Sequence, residues 1–263
     1  MKIIEVTNFL EQYAPLEYQE TYDNCGLIIG DANAEIKGVL ITLDCIESVI
    51  DEAIATGCNL IVAHHPIIFS GLKKINGKNY IERTVIKAIK NDIAIYAIHT
   101  NLDNVHNGVS AKIADKLGLE NCKILVPKQE LYFKAIVGSG IIGELNLPVD
   151  TQEFLENLKL NMQTNCVRHT PLVSKTIKRV AVCGGSGSFL LKNAIAAKAD
   201  IFITADFKYH EFFDAENHII IADIGHYESE QFTKDLIYDL LTDNFTKFAV
   251  RLSKVNTNPI KQL

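Results

Sequence analysis

A strand, helix, strand pattern occurs twice in this chain and constrains its fold more than any other feature. The first copy covers residues 39–63, and the second covers residues 180–204 at a constant offset of 141 residues. Strands that alternate with helices form parallel sheets, and internal repeats form units that stack or face each other. The sequence therefore predicts two similar, facing α/β lobes with mainly parallel sheets.

The segment between the two copies has a different pattern of apolar residues. Apolar runs at 131–137 and 141–147 predict a pair of strands, followed by a helix at about 152–160. Elsewhere, apolar periodicity predicts helices near 5–13, 47–56, 81–91, 108–117, 188–198 and 229–243. The predicted organisation is a first α/β lobe, a small connecting α+β segment and a second α/β lobe, at residues 1–121, 122–175 and 176–263.

Three predicted strands end in side chains that can bind metals. These side chains are, strand by strand, His64 with His65, His99 with Asp103, and His226 with Glu230. Open α/β sheets bind ligands beyond the carboxyl ends of their strands, and imidazole is the commonest transition-metal ligand. In the last two pairs the acid follows the histidine by four residues, which places both on one face of a helix. Two histidines alone could equally be ordinary loop residues, but three such strand ends favour a metal centre.

A glycine- and serine-rich loop follows the first strand of the second copy. It covers residues 184–188 (Gly-Gly-Ser-Gly-Ser) and lacks the lysine and the spacing of a P-loop. Its amides could hold an anion such as a substrate phosphate at a helix N-terminus. Alternatively, the glycines serve a tight turn from strand to helix, and the sequence leaves both readings open.

Composition excludes several classes of protein and predicts a cytoplasmic location. The net charge of −6 argues against a nucleic-acid partner. No apolar stretch approaches the roughly 18 residues of a membrane span, and the first residues do not resemble a secretory signal. The six cysteines show no metal-binding spacing, so most are expected to be buried thiols. Cys25 lies in a polar turn, where a packing role is favoured over a reactive one.

These motifs together resemble the GTP cyclohydrolase type 2 homologue family, also called the Nif-three-like or NGG-interacting-factor family. The resemblance covers nearly the whole chain, which corresponds to the short form without the domain that some members carry between the lobes. It rests on residues 23–27 (Asp-Asn-Cys-Gly-Leu), 63–66 (Ala-His-His-Pro), 99–103 (His-Thr-Asn-Leu-Asp), 204–206 (Thr-Ala-Asp) with His210, 225–230 (Gly-His-Tyr-Glu-Ser-Glu) and 256–259 (Asn-Thr-Asn-Pro).

The resemblance implies the Nif-three-like fold, a dinuclear metal site in the cleft between the lobes, and a toroidal homohexamer. His99 would lie close to that site, whose implied ligands are His64, His65, Asp103, His226 and Glu230. Such imidazole and carboxylate donors suit two divalent transition metal ions per subunit, of Zn, Fe, Mn or Ni. The absence of a thiolate set argues against a closed structural zinc site.

Hydrolysis is the expected reaction class, because two neighbouring metal ions activate water near neutral pH. The expected substrate is a nucleotide-like small molecule, and ring opening of GTP is suggested by the resemblance alone. His99 and His210 are the candidates for a general acid or base, with a hydrogen bond to a metal ligand as an equal alternative. The alternative function is a metal-handling or adaptor protein without turnover.

Three positions depart from the family pattern. Ile141 stands where an arginine is usual, so any substrate contact made by that arginine would be missing. Ala205 replaces a glycine that is common before Asp206, and Cys25 stands where valine is frequent. None of the three is an implied metal ligand.

Overall fold

Two sheets organise the chain, each within its own compact unit. The structure, a computed structural model, describes residues 1–128, 135–261 and 263. The first unit comprises Met1–Leu102 and Thr233–Pro259, and the second comprises Asp103–Phe232 and Ile260–Leu263. The α/β class with two sheets is confirmed.

The first unit is built on a five-stranded sheet in the order β1-β4-β3-β2-β11. The strands β2, β3 and β4 are parallel, whereas β1 pairs antiparallel with β4. Its elements are, in chain order, α1 (Ile3–Tyr13), β1 (Gly26–Ile29), β2 (Gly38–Thr42), α2 (Glu47–Thr56), β3 (Leu60–Ala63), α3 (Tyr80–Lys90), β4 (Ala94–Ala97) and α4 (Thr100–Asn104). The short helix α4 continues into the second unit. The end of the chain adds α9 (Thr233–Asn244) and β11 (Ala249–Leu252).

Strands β2, β3 and β4 are buried along their whole length. One face of the sheet packs on α2 and α3, where Val49, Ile50 and Val85 contact Leu40 and Ile61. This burial on both faces explains why these strands read as continuous apolar runs.

The second unit is built on a six-stranded sheet in the order β5-β6-β8-β9-β10-β7. The parallel pairs are β8 with β9 and β9 with β10, while β5, β6 and β7 pair antiparallel with their neighbours. Its elements are α5 (Val109–Lys116), β5 (Glu120–Lys128), β6 (Val137–Asp150), α6 (Thr151–Asn161), β7 (Arg168–His169), β8 (Thr176–Ser186), α7 (Leu191–Ala196), β9 (Ile201–Ala205), β10 (Ile220–Asp223) and α8 (His226–Glu230).

The internal repeat is confirmed at the level of strand register. Val39 on β2 lies beside Leu60 on β3, and Val180 on β8 lies beside Ile201 on β9. Both pairs obey the same offset of 141 residues. The two copies therefore build the same parallel strand pair, each with one helix in the crossover.

Two segments of the chain belong to sheets to which the sequence analysis does not assign them. The strands β6 and β7, from the predicted connecting segment, complete the sheet of the second unit, because Ile141 of β6 packs in the same core as Val182 of β8. The last strand, β11, returns to the first sheet beside β2. The predicted lobe boundaries at 121, 122–175 and 176 stay a prediction.

The predicted helices are found within a few residues of their bounds, with one exception. The helix predicted over 229–243 is two helices, α8 and α9, with a break at Gln231 and Phe232. The strand predicted over 131–137 falls mostly on residues 131–134, which lie outside the described residues, and β6 begins at Val137. No described helix has both the length and the apolarity that a bilayer span requires.

Candidate metal centre

Neighbouring strands of the first unit bring three histidines together. His64 and His65 directly follow β3, and His99 follows β4, which is parallel to β3 and pairs with it up to Ala97. One ring nitrogen from each histidine lies within 4.8 Å of the others. The three rings therefore form a cluster, the histidine cluster, at the carboxyl edge of the sheet, where open α/β sheets bind ligands.

Each ring of the histidine cluster is oriented by an oxygen acceptor on Nδ1. Because these oxygens accept, the proton sits on Nδ1 and the lone pair sits on Nε2, which is the arrangement of metal-binding histidines. The acceptors are the Ile98 carbonyl for His64 (2.8 Å), the Asp44 carboxylate for His65 (2.8 Å) and the Asp23 carboxylate for His99 (2.9 Å).

Asp23 is held as a buried anion behind His99. It also accepts from the backbone amide of Thr100 at 3.0 Å, from the Thr100 hydroxyl, and from the Cys25 thiol at 3.1 Å. Burial raises the pKa of Asp23, but the hydrogen bond and charge of His99, together with the hydrogen bonds of Thr100 and Cys25, outweigh it and hold the pKa well below the usual range. Cys25 thus serves this network, and burial raises its own pKa to about 12.

Asp44 is positioned by the last segment of the first unit. The Thr257 hydroxyl donates to Asp44 Oδ2 at 2.6 Å, while Asp44 Oδ1 accepts from His65. Thr257 belongs to the motif at 256–259, whose role the sequence alone does not explain. The structure assigns this motif to the support of His65.

The second unit carries a further cluster, the carboxylate cluster, formed by Asp103, His226 and Glu230. His226 and Glu230 share the short helix α8, and His226 Nε2 lies 3.1 Å from Glu230 Oε2. Burial raises the pKa of the Cys183 thiol, and the charges of Asp103 and Glu230 raise it further, which places both carboxylates beside that one side chain.

His226 has the same support as the histidines of the first unit. Its Nδ1 donates to Asp206 Oδ2 at 2.7 Å, and Asp206 directly follows β9, the parallel neighbour of β10. Burial lowers the pKa of His226, but Asp206 and Glu230 outweigh it and raise the pKa to about 11. The surroundings of His226 therefore strongly favour the protonated, cationic form of its ring.

The loop 184–188 serves close packing against Glu230. The Gly185 amide donates to Ser229 Oγ at 2.9 Å, and the Gly184 amide donates to Ser110 Oγ at 3.4 Å, so neither amide is directed at an anion. Gly185 has a φ of +63°, and a Cβ there would lie 2.3 Å from Glu230 Oε1. Of the two readings of this loop, the structure supports the tight turn.

The donors present fit a divalent transition metal ion. They combine imidazole Nε2 atoms with carboxylate oxygens, a mixture that suits Zn, Fe, Mn and Ni. A carboxylate or carbonyl behind each ring fixes its tautomer and raises its basicity. Groups that could hold a metal ion are therefore present in the protein.

The predicted site residues fall into three places. His64 and His65 lie together with His99, which is part of the histidine cluster itself, and Asp103, His226 and Glu230 form the carboxylate cluster. His210 is exposed on the 3₁₀ helix Tyr209–Ala215 and contacts the rings of Tyr209 and Phe213. The catalytic roles of His99 and His210 stay predictions.

Sequence reasoning missed the acceptors behind the histidines, above all Asp44. Two of them share a signal, an acid at the end of the strand next to the one that carries the histidine: Asp44 with His65 and Asp206 with His226. Among the family departures, Ile141 is buried in the core of the second unit. This position in the chain therefore contributes packing and offers no contact to a substrate.

Comparison with known proteins gives a consistent family assignment. Residues 1–259 match the profile of the family described as Duf34/NIF3 (NGG1p interacting factor 3). A curated relative from Clostridium acetobutylicum, named GTP cyclohydrolase 1 type 2 homolog, is 34% identical over 231 residues, which cover 88% of this chain and 85% of the relative. A relative of the same name from Staphylococcus epidermidis aligns over 365 residues at 28% identity, so it contains residues that this shorter chain lacks.

Solved structures show the same fold. The crystal structure of the Staphylococcus aureus hypothetical protein SA1388 matches with a TM-score of 0.92 and 30% identity, covering 100% of this chain and 99% of that one. A Bacillus cereus protein related to NIF3 matches with a TM-score of 0.90 and 25% identity, again covering 100% and 99% of the two chains.

Proposed function

Because the chain belongs to the Duf34/NIF3 family, we propose that it is a metal-dependent hydrolase of a nucleotide-like small molecule. The proposal includes two divalent transition metal ions per subunit, with His64, His65, Asp103, His226 and Glu230 as their ligands. The observation that carries it is the shared geometry of four histidine rings, each with an oxygen acceptor on Nδ1. The name GTP cyclohydrolase 1 type 2 homolog, given to relatives, supports a nucleotide as the substrate class.

The bound ions would supply Lewis acidity and lower the pKa of water toward neutrality. The protein's own residues prepare the site for them. Asp23, Asp44 and Asp206 hold the rings with Nε2 forward, and Asp103 and Glu230 supply negative charge to balance the cations. Such support from behind the ligands is worth about 10- to 100-fold in metal affinity.

His99 has a proposed role in proton transfer. Its Nδ1 donates to the buried Asp23 carboxylate at 2.9 Å, which fixes the orientation of the ring. His99 Nε2 would then be the atom that takes up a proton and passes it to a leaving group. His210 is the second candidate, because its ring is exposed and lies four residues beyond Asp206.

The test combines metal content with turnover. We expect about two transition metal ions per subunit after purification without chelator, and chelator-sensitive ring opening or phosphate release on a panel that includes GTP. His65→Ala and Asp103→Ala should each lower both the metal content and the rate while the circular dichroism stays unchanged. His106→Ala is the matched control, since His106 is exposed and, among the described residues, its side chain bonds to its neighbour Asn107 alone.

The outcomes separate the two candidate functions. Bound metal with no turnover on any nucleotide would replace the hydrolase with the metal-handling or adaptor function. Loss of folding in His65→Ala would instead indicate a structural metal.

We also propose a cytoplasmic homohexamer, on the strength of the family resemblance. Light scattering should then give a mass of six copies of the 29.3 kDa chain. A monomeric mass at micromolar concentration would contradict this part of the proposal.

A further inference from the structure

A cavity in the second unit lies between β7 and the 3₁₀ helix Tyr209–Ala215. Its volume is about 400 Å³, and its walls include Arg168, His169, Tyr209, Phe212 and Phe213. Concave sites of roughly 300–1,000 Å³ with aromatic walls and a few polar groups are typical of small-molecule binding. The proposed metal ligands are not among its lining residues.

Aromatic faces form one side of this cavity. Phe212 is held from behind by the buried ring of Phe207, at 5.3 Å between centroids. Tyr209 and Phe213 contact each other at 5.7 Å, yet they remain 74% and 66% exposed. Large apolar side chains are seldom this exposed side by side unless they meet a ligand or a partner.

Arg168 supplies a fixed positive charge at the same cavity. Its Nη2 donates to the carboxylate of the buried Asp223 and to the Phe207 carbonyl, which anchors the guanidinium over the Phe212 ring at 5.4 Å. In the described part of the chain, its Nε and Nη1 donate to no protein acceptor. An anchored guanidinium with three remaining N–H donors, on Nε and Nη1, is suited to a carboxylate or a phosphate.

His169 adds an acceptor to the polar edge. Its Nδ1 donates to the Thr170 carbonyl at 2.8 Å, so its Nε2 carries the lone pair. Arg168 and His169 therefore offer both donors and an acceptor in the cavity that Tyr209 and Phe213 also line.

From this arrangement we infer that the cavity is a binding site for a planar heteroaromatic ring that carries an anionic group, as in a purine nucleoside monophosphate. The ring stacks on Tyr209 and Phe213, and the anionic group binds to Arg168. Aromatic side chains bind nucleobases in this way irrespective of sequence. The inference does not require that the protein hydrolyses this ligand.

The test measures binding of GMP and AMP by isothermal titration calorimetry on the full chain. We expect one molecule per subunit, with guanosine and ribose 5-phosphate each binding at least tenfold more weakly. Phe213→Ala and Tyr209→Ala should each raise the Kd for GMP about tenfold. Phe189→Ala is the matched control, because Phe189 is 67% exposed in the same unit and does not line the cavity.

Arg168→Lys distinguishes the anionic contact from stacking. The lysine keeps the positive charge beside Asp223 but lacks the forked N–H donors of the guanidinium. Binding of GMP should therefore weaken about tenfold, while binding of guanosine stays unchanged. The His65→Ala variant separates this site from a phosphate contact to bound metal, since it should keep the affinity for GMP.

Three results would overturn the inference. The first is that neither GMP nor AMP binds, and the second is that Phe213→Ala and Tyr209→Ala bind GMP as tightly as the parent protein. The third is a change of subunit number in these two variants, which would assign the exposed rings to a contact between copies of the chain.

Discussion

At the scale of single residues, the acceptors behind the histidines distinguish this site from a chance cluster of imidazoles. His64, His65, His99 and His226 come from three strand ends, and each has an oxygen on Nδ1 within 2.9 Å. A solvated histidine samples several orientations and both neutral tautomers. The acceptors remove that freedom before any ligand binds, which lowers the entropic cost of forming the site.

Asp44→Ala should therefore weaken metal binding although Asp44 is not a proposed ligand. Without the acceptor, His65 loses its fixed tautomer, and the affinity for Zn²⁺ should fall about 10- to 100-fold in competition with a fluorescent chelator. Thr257→Val, which removes the hydroxyl that donates to Asp44, should have a smaller effect in the same direction. An unchanged affinity in Asp44→Ala would show that His65 is not a ligand.

Gly185→Ala and Gly57→Ala form a pair that separates backbone strain from contact with Glu230. Both glycines have positive φ, +63° and +71°, so each alanine should lower the free energy of unfolding by about 1 kcal/mol. At Gly57 a Cβ would meet nothing within 4 Å, whereas at Gly185 it would displace the Glu230 carboxylate. Urea unfolding should thus give a larger loss for Gly185→Ala than for Gly57→Ala, and only Gly185→Ala should lower the metal content. Equal metal content in both variants would argue against Glu230 as a ligand.

At the scale of elements, the sequence predicted those helices and strands that depend on local apolar patterns and not on distant contacts. The runs at β2, β3, β9 and residues 180–183 of β8 are buried and largely apolar, and the repeat indicated their pairing. The grouping of the histidines could be predicted in a similar way, because side chains that follow parallel strands meet at one edge of the sheet.

Pairing partners at the sheet edges could not be predicted from the sequence. The strand β11 is partly exposed and lies far from β2 along the chain, so no local pattern assigns it to the first sheet. The break between α8 and α9 was also missed, because the apolar spacing continues across it. The hydrogen bond from Thr257 to Asp44 could not be predicted either, because it depends on which sheet the end of the chain joins.

Glu52 is the side chain that ties this last strand to the first unit. From α2, its carboxylate accepts from the Ser253 hydroxyl at 2.5 Å and from the Lys254 amide at 2.9 Å, just after β11. Glu52→Ala should lower the free energy of unfolding by about 1–3 kcal/mol, since both bonds involve a charged acceptor. Glu47→Ala on the same helix is the control; its exposed ion pair with Arg83 should be worth at most about 1 kcal/mol. Equal losses in urea unfolding would contradict a role for Glu52 in holding β11.

At the scale of the whole molecule, titration of buried thiols links stability to alkaline pH. Burial raises the pKa of Cys25 to about 12 and that of Cys45 to about 12, from 9.0. Between these values the unfolded chain loses protons that the folded protein retains. The unfolded state then binds fewer protons, so the free energy of unfolding falls as the pH rises.

The size of this effect follows from the same pKa values and can be measured variant by variant. Each thiol should cost about 1.4 kcal/mol between pH 8 and pH 10, because one pH unit above the unfolded pKa corresponds to that amount. Cys25 and Cys45 together should contribute about 3 kcal/mol to the loss seen by urea unfolding at the two pH values, in addition to the losses from Cys183 and His226, whose pKa values are also raised. In Cys25→Val, which places the residue frequent in the family at this position, the loss should shrink by about 1.4 kcal/mol. If the parent protein and Cys25→Val lose the same amount, the thiol of Cys25 is not shielded from ionisation, and its place beside the Asp23 carboxylate would have to be revised.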